Sequence, residues 1–461
     1  MIPSPIVQTS QRLFGTDGIR GRFGEPPLDR ETVTALAVHL AATLRSRNHG
    51  SDKPPRAVLG GDTRESTPEI CRWLASGLLA GGVELHYAGV IPTPGVAWLT
   101  RELRCAAGVV VSASHNPWPD NGIKLVDPEG FKWSDEDEAA LERLLARPVP
   151  EIPEIPPEAL AAEPELRERY LRHLAGTLPA GNPLAGLRVV LDTGNGAASG
   201  YAGELFERLG AQVTVLHAAP NGRNVNEECG STAPGEMAAR VAAEGADLGA
   251  AFDGDADRCI LADENGEVRD GDAMLYLWAT CLHRSGRLQP PKIVATSMSN
   301  LGLERTLGAE GISLVRCSVG DRYVVEAMRR EGILLGGEQS GHIVQSALAS
   351  TGDGLLTALQ VAFLRRQDGR PLSAMLAPFR RYPQVLLNVR VARKQDFDTL
   401  PTVAAAARDV ERRLGDDGRL VLRYSGTEPL ARIMIEGPEQ ELIDGMAAEL
   451  AAAIRGALGT G

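Results

Sequence analysis

Short runs of valine, leucine and alanine alternate with helical patterns in at least three successive stretches of this chain, and that alternation commits it to an α/β architecture. The first stretch holds Ala57-Val-Leu-Gly-Gly61, a helical pattern from Pro68 to Ala80, Val83-Glu-Leu-His-Tyr87 and the apolar run Val109 to Val111. Pro148-Val-Pro-Glu-Ile-Pro-Glu-Ile-Pro-Pro157 can form neither helix nor central strand and reads as a linker. A helix over Glu163 to Thr177 follows. The second stretch opens with Leu187-Arg-Val-Val-Leu191 and runs to a hairpin turning at Asp263-Glu-Asn-Gly266. The third begins near Gly271, with strands expected at 292–296, 312–316 and 333–335. After Pro371 the pattern changes to strands at 385–391, 420–424 and 431–436, a helix near 403–414 and a closing alanine-rich helix. The expected fold is three similar α/β domains, over 1–165, 166–268 and 269–379, plus a smaller α+β domain over 380–461. The likeness of the first three is one of pattern; the sequence contains no exact repeat.

The run Val109-Val-Val-Ser-Ala-Ser-His-Asn-Pro117 delivers a hydroxyl from a buried strand into a polar turn. Parallel sheets keep their sites at strand ends, so Ser114 is a candidate nucleophile or phosphate carrier. Ser-x-Ser-His is equally what a well-capped turn looks like. A second apolar run, Leu248-Gly-Ala-Ala-Phe252, leads into Asp253-Gly-Asp-Ala-Asp-Arg258. Carboxylates at alternate positions after a strand repel one another unless a cation sits among them or water solvates an acidic turn, and oxygen-only ligation suits a hard divalent ion such as Mg²⁺. A calcium loop counted from Asp253 would reach Glu264 at its twelfth position. It would need glycine where Arg258 stands, and a helix rather than a strand entering it.

With 48 Lys plus Arg against 60 Asp plus Glu, the formal net charge of the 461 residues is -12. Nucleic acid and anionic membrane are poor partners for such a surface, so an anionic substrate must be met by local arginine and lysine clusters. No apolar run is long enough to span a bilayer, and Met1-Ile-Pro-Ser-Pro-Ile-Val lacks the basic-then-apolar order of an export signal. A cytoplasmic, unanchored protein is expected. The six cysteines contain no Cys-x-x-Cys pair, which suits a reducing compartment and predicts no zinc site.

Gly194-Asn-Gly196 follows a strand as a dinucleotide fingerprint would, but Ser199 occupies the third glycine position and the next strand ends at His217 without an acidic residue. These glycines read as a tight strand-to-helix turn. Gly336-Gly-Glu-Gln-Ser-Gly-His342 offers a carboxylate, an amide, a hydroxyl and an imidazole in one loop. That density suits gripping sugar hydroxyls, or capping a glycine-rich turn. Arg423-Tyr-Ser-Gly-Thr-Glu-Pro429, with Arg432, combines guanidinium forks, hydroxyls and a glycine amide, a set that matches phosphate oxygens.

Taken in order, Phe14-Gly-Thr-Asp-Gly-Ile-Arg-Gly21, Ser112-Ala-Ser-His-Asn-Pro117, Asp253-Gly-Asp-Ala-Asp-Arg258, Gly337-Glu-Gln-Ser-Gly-His342 and Arg423-Tyr-Ser-Gly-Thr-Glu-Pro429 resemble the signatures of the α-D-phosphohexomutases. The likeness spans Phe14 to Glu436. Within that family the opening, Asp120-Asn-Gly-Ile-Lys124, Met298-Ser-Asn-Leu-Gly-Leu303 and Val319-Gly-Asp-Arg-Tyr-Val324 are most similar to the members acting on amino sugars. The resemblance implies four domains around a central cleft, with mixed sheets in the first three. It implies a mutase interconverting glucosamine 6-phosphate and glucosamine 1-phosphate, or mannose or glucose phosphates, feeding amino-sugar nucleotide and cell-wall precursor synthesis. It implies a monomer or homodimer, one Mg²⁺ per site, and a bisphosphorylated sugar as intermediate and activator.

Residue by residue, the resemblance implies that Ser114 carries phosphate and joins Asp253, Asp255 and Asp257 around Mg²⁺. Arg20, His115 and Arg258 would surround the transferred group, with Lys124 as general acid and base. Glu338 and Ser340 would hold the sugar, with His342 beside them. Arg423, Ser425, Gly426, Thr427 and Arg432 would hold the phosphate that is not transferred. Two positions depart from the family. Ala256 stands where glycine is usual, tolerable only where φ is negative, and Tyr424 stands where amino-sugar members commonly carry lysine, removing a positive charge. A phosphatase using Ser114, or a noncatalytic sugar-phosphate binder, are the competing readings. Binding alone needs no phosphate carrier, and water needs neither a sugar loop nor a distal phosphate clamp.

Overall fold

The computed structural model describes residues 12–15, 17–48, 52–425 and 429–459. Strands β1 (Ile19–Arg22), β2 (Arg56–Gly61), β3 (Glu84–Val90), β4 (Ala107–Val111) and β5 (Asp120–Val126) form a sheet in the order β1-β5-β4-β2-β3. Strands β6 (Arg188–Asp192), β7 (Gln212–Leu216), β8 (Leu248–Phe252), β9 (Cys259–Asp263) and β10 (Val268–Arg269) form a second, ordered β10-β9-β8-β6-β7. Strands β11 (Lys292–Thr296), β12 (Ser313–Cys317), β13 (Leu335–Gly337) and β14 (Ile343–Gln345) form a third, ordered β12-β11-β13-β14. Finally β15 (Gln384–Arg390), β16 (Arg419–Tyr424) and β17 (Leu430–Glu436) make an antiparallel sheet with β17 central.

The first three sheets share one plan. The opening parallel strand, β2, β6 or β11, has its two parallel neighbours on opposite sides, and an antiparallel strand, β5, β9 or β14, closes beyond the third. The sheets are therefore mixed, as expected. Because the winding reverses at the opening strand, a crevice forms at the carboxyl end of each sheet, where α/β proteins place ligands.

The sequence pattern follows from this layering. All five residues of β4 and of β8 are buried, so these strands read as continuous apolar runs rather than alternating ones. In the second sheet, Val190, Ala251 and Ala262 pack on Met237, Ala238 and Val241 of the helix Gly235–Glu244. Leu191, Ala250 and Phe252 on the other face join a larger core that reaches Val58, Tyr170 and Leu355. The first three units thus share buried contacts. The fourth keeps its own core around Val389, Ile433, Ile435 and Leu450. Arg419 ties it to the third by donating to the carbonyls of Ser297 and Ser299, each at 2.9 Å.

Two local expectations shift. The proline-rich stretch has no regular structure before Pro157, yet it is a strap rather than a free linker: Val149 and Ile155 pack on the first core, and Ile155 N donates to Ser76 Oγ at 3.1 Å. The strand expected at 333–335 lies at Leu335–Gly337 instead. Ile333 N is spent closing the preceding helix on Met328 O. No helix among the described residues is long and apolar enough to cross a membrane.

Candidate active site

Beyond β4 the chain turns sharply, and Ser114 takes φ +52°, a left-handed conformation that non-glycine residues seldom adopt. Its side chain is only 1% exposed. Ser114 Oγ donates to Asp253 Oδ2 at 2.6 Å and lies 3.3 Å from His115 Nδ1. A fully buried arginine that sequence reasoning missed holds this turn. Arg64 donates from Nε to Asp62 Oδ2 (2.8 Å), from Nη1 to the carbonyls of Pro117 and Asp120 (2.6 and 2.9 Å), and from Nη2 to those of Ser114 and Asn116 (2.9 and 2.8 Å). A guanidinium has five N–H donors, and all five are used. The available signal was Gly61-Asp-Thr-Arg64, a charged pair immediately after an apolar strand. From the second unit Asn226 Nδ2 also donates to Ser114 O, at 2.9 Å.

The loop after β8 sits opposite. Asp253, Asp255 and Asp257 each bring an oxygen within 4.8 Å of the others, and all three are buried. Burial, and then the charges of Asp257 and Asp255, hold the Asp253 carboxyl well above its usual range. Burial works the same way on Asp255, but Lys124 and the Thr93 hydroxyl, which donates at 2.5 Å, overcome it and keep that carboxyl low. Asp255 Oδ1 and Asp257 Oδ1 are buried without a hydrogen-bond partner. Orphaned carboxylate oxygens converging in a buried site fit a hard divalent cation.

Ala256 corrects the expectation of a negative φ. It stands at φ +55° with its methyl fully buried. The conformation is held from both sides: Ala256 N donates to Asp253 O at 3.0 Å, and its carbonyl accepts from Gly354 N at 2.9 Å. Left-handed strain of about 1–2 kcal/mol is offset in part by the buried methyl, worth about 0.8 kcal/mol.

Lys124, on β5, reaches the same cluster. Its Nζ lies 2.8 Å from Asp255 Oδ2, 3.3 Å from Asp17 Oδ2 and 3.4 Å from Asp257 Oδ2. Burial opposes the charge, but these carboxylates override it and raise the lysine above its ordinary value. Arg20, on the neighbouring β1, pairs with Asp17 and donates to Ser112 O at 3.2 Å. Arg258 Nε lies 3.8 Å from Asp257 Oδ1. The cleft around His115 withdraws water from the imidazole, and Arg258 repels its charged form. Both depress its pKa below the ordinary 6.5, although the residue as a whole remains partly open to solvent. Asp17 extends the network through Lys132 to Asp321, and none of these three was singled out in the sequence.

In the loop joining β13 to β14, Glu338 Oε1 accepts from Gly320 N at 3.0 Å, and Ser340 Oγ lies 3.5 Å from Glu338 Oε2. His342 is buried, with Nε2 accepting from Gly352 N at 3.2 Å. In the fourth unit Arg423 and Arg432 are direct cross-strand partners on β16 and β17. Burial and then Arg432 hold Arg423 below its ordinary pKa. Arg432 Nη2 lies 3.3 Å from Ser425 Oγ. Like charges directly opposed are unfavourable unless an anion answers them. Gly426 and Thr427 lie outside the described residues. Tyr424 stacks on Phe397 instead of supplying charge, and Lys394, another residue sequence reasoning missed, donates to Ser425 O at 2.6 Å.

This chain belongs to the phosphoglucomutase/phosphomannomutase family: residues 11–149, 168–266 and 270–382 match its alpha/beta/alpha domains I, II and III, and 386–453 match its C-terminal domain. Among its relatives, a protein of Solibacter usitatus named phosphoglucosamine mutase is 46% identical over 450 residues, covering 97% of this chain and 99% of that one. One of the same name from Mesorhizobium japonicum is 47% identical over 434 residues, 94% of this chain and 95% of its own. Solved structures share the fold. A Burkholderia thailandensis phosphoglucomutase/phosphomannomutase family protein superposes with TM-score 0.79 at 23% identity, covering 97% and 98% of the two chains. Aspergillus fumigatus N-acetylphosphoglucosamine mutase, in complex with GlcNAc-6P and magnesium, superposes with TM-score 0.66 at 20% identity, covering 96% of each.

Proposed function

We propose that this chain is a phosphosugar mutase that interconverts glucosamine 6-phosphate and glucosamine 1-phosphate through a phosphorylated Ser114. The observation that carries the reading is Ser114 itself: a residue with strained backbone whose carbonyl is held by Arg64 and whose buried hydroxyl donates to an aspartate beside orphaned carboxylate oxygens. A capped turn needs none of that strain. The choice of amino sugar rests on relatives 46–47% identical over nearly the whole chain. We divide the chain into functional units at 1–165, 166–268, 269–379 and 380–461, each contributing one loop.

In the forward half-reaction the sugar hydroxyl attacks the phosphorus on Ser114, Lys124 in its neutral form takes the hydroxyl proton, and the P–Oγ bond breaks to leave Ser114 Oγ as an alkoxide. In the return half-reaction the Ser114 alkoxide attacks the phosphate at the other end of the bisphosphorylated sugar, the sugar–phosphate bond breaks, and Lys124 returns its proton to the departing sugar oxygen. The carboxylates around Lys124 favour its protonated form, which suits the return step. Arg20, His115 and Arg258 surround the transferred group. Glu338 and Ser340, with His342 behind them, grip the sugar, while Arg423, Ser425, Gly426, Thr427 and Arg432 hold the other phosphate. Asp253, Asp255, Asp257 and Ser114 would hold Mg²⁺, which when bound polarises the phosphoryl group and offsets the carboxylate charge. Parallel assays with glucosamine 6-phosphate, glucose 1-phosphate and mannose 1-phosphate test the substrate. A kcat/KM for the amino sugar no higher than for the other two would overturn it.

A further inference from the structure

The second sheet carries a cluster that the phosphosugar chemistry does not use. Asp192 ends β6, His217 follows the end of β7, and Cys229 comes from the next loop. Among the described residues, these three bring a carboxylate oxygen, a ring nitrogen and a sulfur within 4.8 Å of one another. Asp192 and Cys229 are fully buried and His217 is partly exposed. The position is the carboxyl end of the strand where the winding of this sheet reverses, the crevice where α/β sheets hold ligands.

The imidazole is the informative group. His217 Nε2 lies 3.3 Å from Glu236 Oε2. His217 Nδ1 lies 3.0 Å from Asp192 Oδ1 but off the line of a hydrogen bond, and is buried without a partner. With Nδ1 deprotonated, as a metal ligand must be, a nitrogen lone pair and a carboxylate oxygen would face each other at that distance and repel. An ion between them removes the repulsion. Nitrogen and oxygen ligands about 2.0 to 2.1 Å from a tetrahedral ion stand about 3.3 Å apart, against 3.0 Å between His217 Nδ1 and Asp192 Oδ1, with the Cys229 sulfur within 4.8 Å of both. A carboxylate on the far ring nitrogen is the usual outer support of a metal-bound histidine.

We propose that Asp192, His217 and Cys229 form a second metal site, separate from the aspartate triad, that takes a borderline-soft divalent ion such as Zn²⁺ with water at the fourth position. Thiolate and imidazole select such an ion over Mg²⁺. As it binds, the Cys229 proton leaves to solvent and a sulfur–metal bond replaces the S–H bond. The ion would brace the turns of Gly194 and Gly230, whose amides donate to Asp192 at 2.9 Å each. It would also brace Asn226, which grips the carbonyls of Ser114 and Asn116. The proposal revises the expectation of no zinc site: cysteine spacing is blind to ligands contributed by three separate loops.

The full chain, loaded with Zn²⁺ and dialysed against Mg²⁺ buffer, should retain about one zinc per chain. Replacement by Co²⁺ should give a thiolate-to-cobalt charge-transfer band in the near ultraviolet. Cys229→Ser should abolish that band, and His217→Gln, at a partly exposed position, should weaken cobalt binding at least tenfold, while Asp255→Asn leaves the band unchanged. A parent chain that retains no zinc, a cobalt form without the thiolate band, or a band that survives in Cys229→Ser would overturn the site. The first two outcomes need no variant to fold.

Discussion

At the scale of single residues, the site stores strain where chemistry needs a fixed atom. Ser114 and Ala256 both take positive φ on facing loops, and both are buried. Alanine at position 114 meets no greater backbone strain than serine, so Ser114→Ala should melt close to the parent while losing mutase turnover. Thermal melting and phosphopeptide mass spectrometry check this. Activity within about tenfold of the parent, hence less than about 1.4 kcal/mol lost from transition-state binding, would remove Ser114 from the phosphate-carrier role. His115 is a second residue-scale case. Its folded pKa is depressed below the ordinary 6.5, so stability from the neutral ring is present above that pH and is lost as pH falls from 6.5 toward the folded value. A proton NMR titration of the unphosphorylated chain should place its midpoint below 6.5. A midpoint above 6.5 would mean that nearby carboxylates, rather than water exclusion and Arg258, dominate the ring.

At the scale of elements, the three α/β units place their candidate site residues at equivalent points. Ser114 follows β4, Asp253 follows β8 and Glu338 follows β13, each the third parallel strand of its sheet. The proposed distal clamp is the exception, built on two antiparallel strands that face Arg423 to Arg432. A charge-assisted contact contributes about 1.5 to 3 kcal/mol, so Arg423→Ala should lower kcat/KM for glucosamine 6-phosphate by about ten- to hundredfold. Phosphate on Ser114 should be retained. Arg423→Lys should recover part of the loss, because an ammonium lacks the planar fork. Steady-state kinetics with intact-mass analysis decides, and an unchanged kcat/KM would make this arginine a bystander.

The loops were legible in the sequence because each is contiguous: apolar strand, then polar residues in fixed order. What was not legible lies between loops. No local pattern pairs Arg64 with the carbonyls at Ser114 and Asn116, or Lys124 with Asp17, Asp255 and Asp257, or Asp192 with His217 and Cys229. Ala256 departs from the expectation because residue type reports the usual conformation, whereas a turn bond to the Asp253 carbonyl and a tertiary bond from Gly354 N hold the unusual one. The segment Pro148 to Pro157 reads as a linker because prolines dominate its composition, while Val149 and Ile155 decide its packing.

At the scale of the whole molecule, the serine loop and the carboxylate loop face each other across the boundary between the first two units, through Ser114 to Asp253, Thr93 to Asp255 and Lys124 to Asp257. Such a divided site suits a reaction in which the sugar must present both ends to one serine without losing its bisphosphorylated form. The central claim is tested most directly by following the phosphate itself. Chain carrying radiolabelled phosphate on Ser114 should be mixed with unlabelled glucosamine 6-phosphate and Mg²⁺, and quenched at short times. The label should pass first to a sugar bisphosphate and then to glucosamine monophosphate, with little released as inorganic phosphate. Label leaving Ser114 directly as inorganic phosphate, at the rate at which the sugar is consumed, would contradict the account and make the protein a phosphatase.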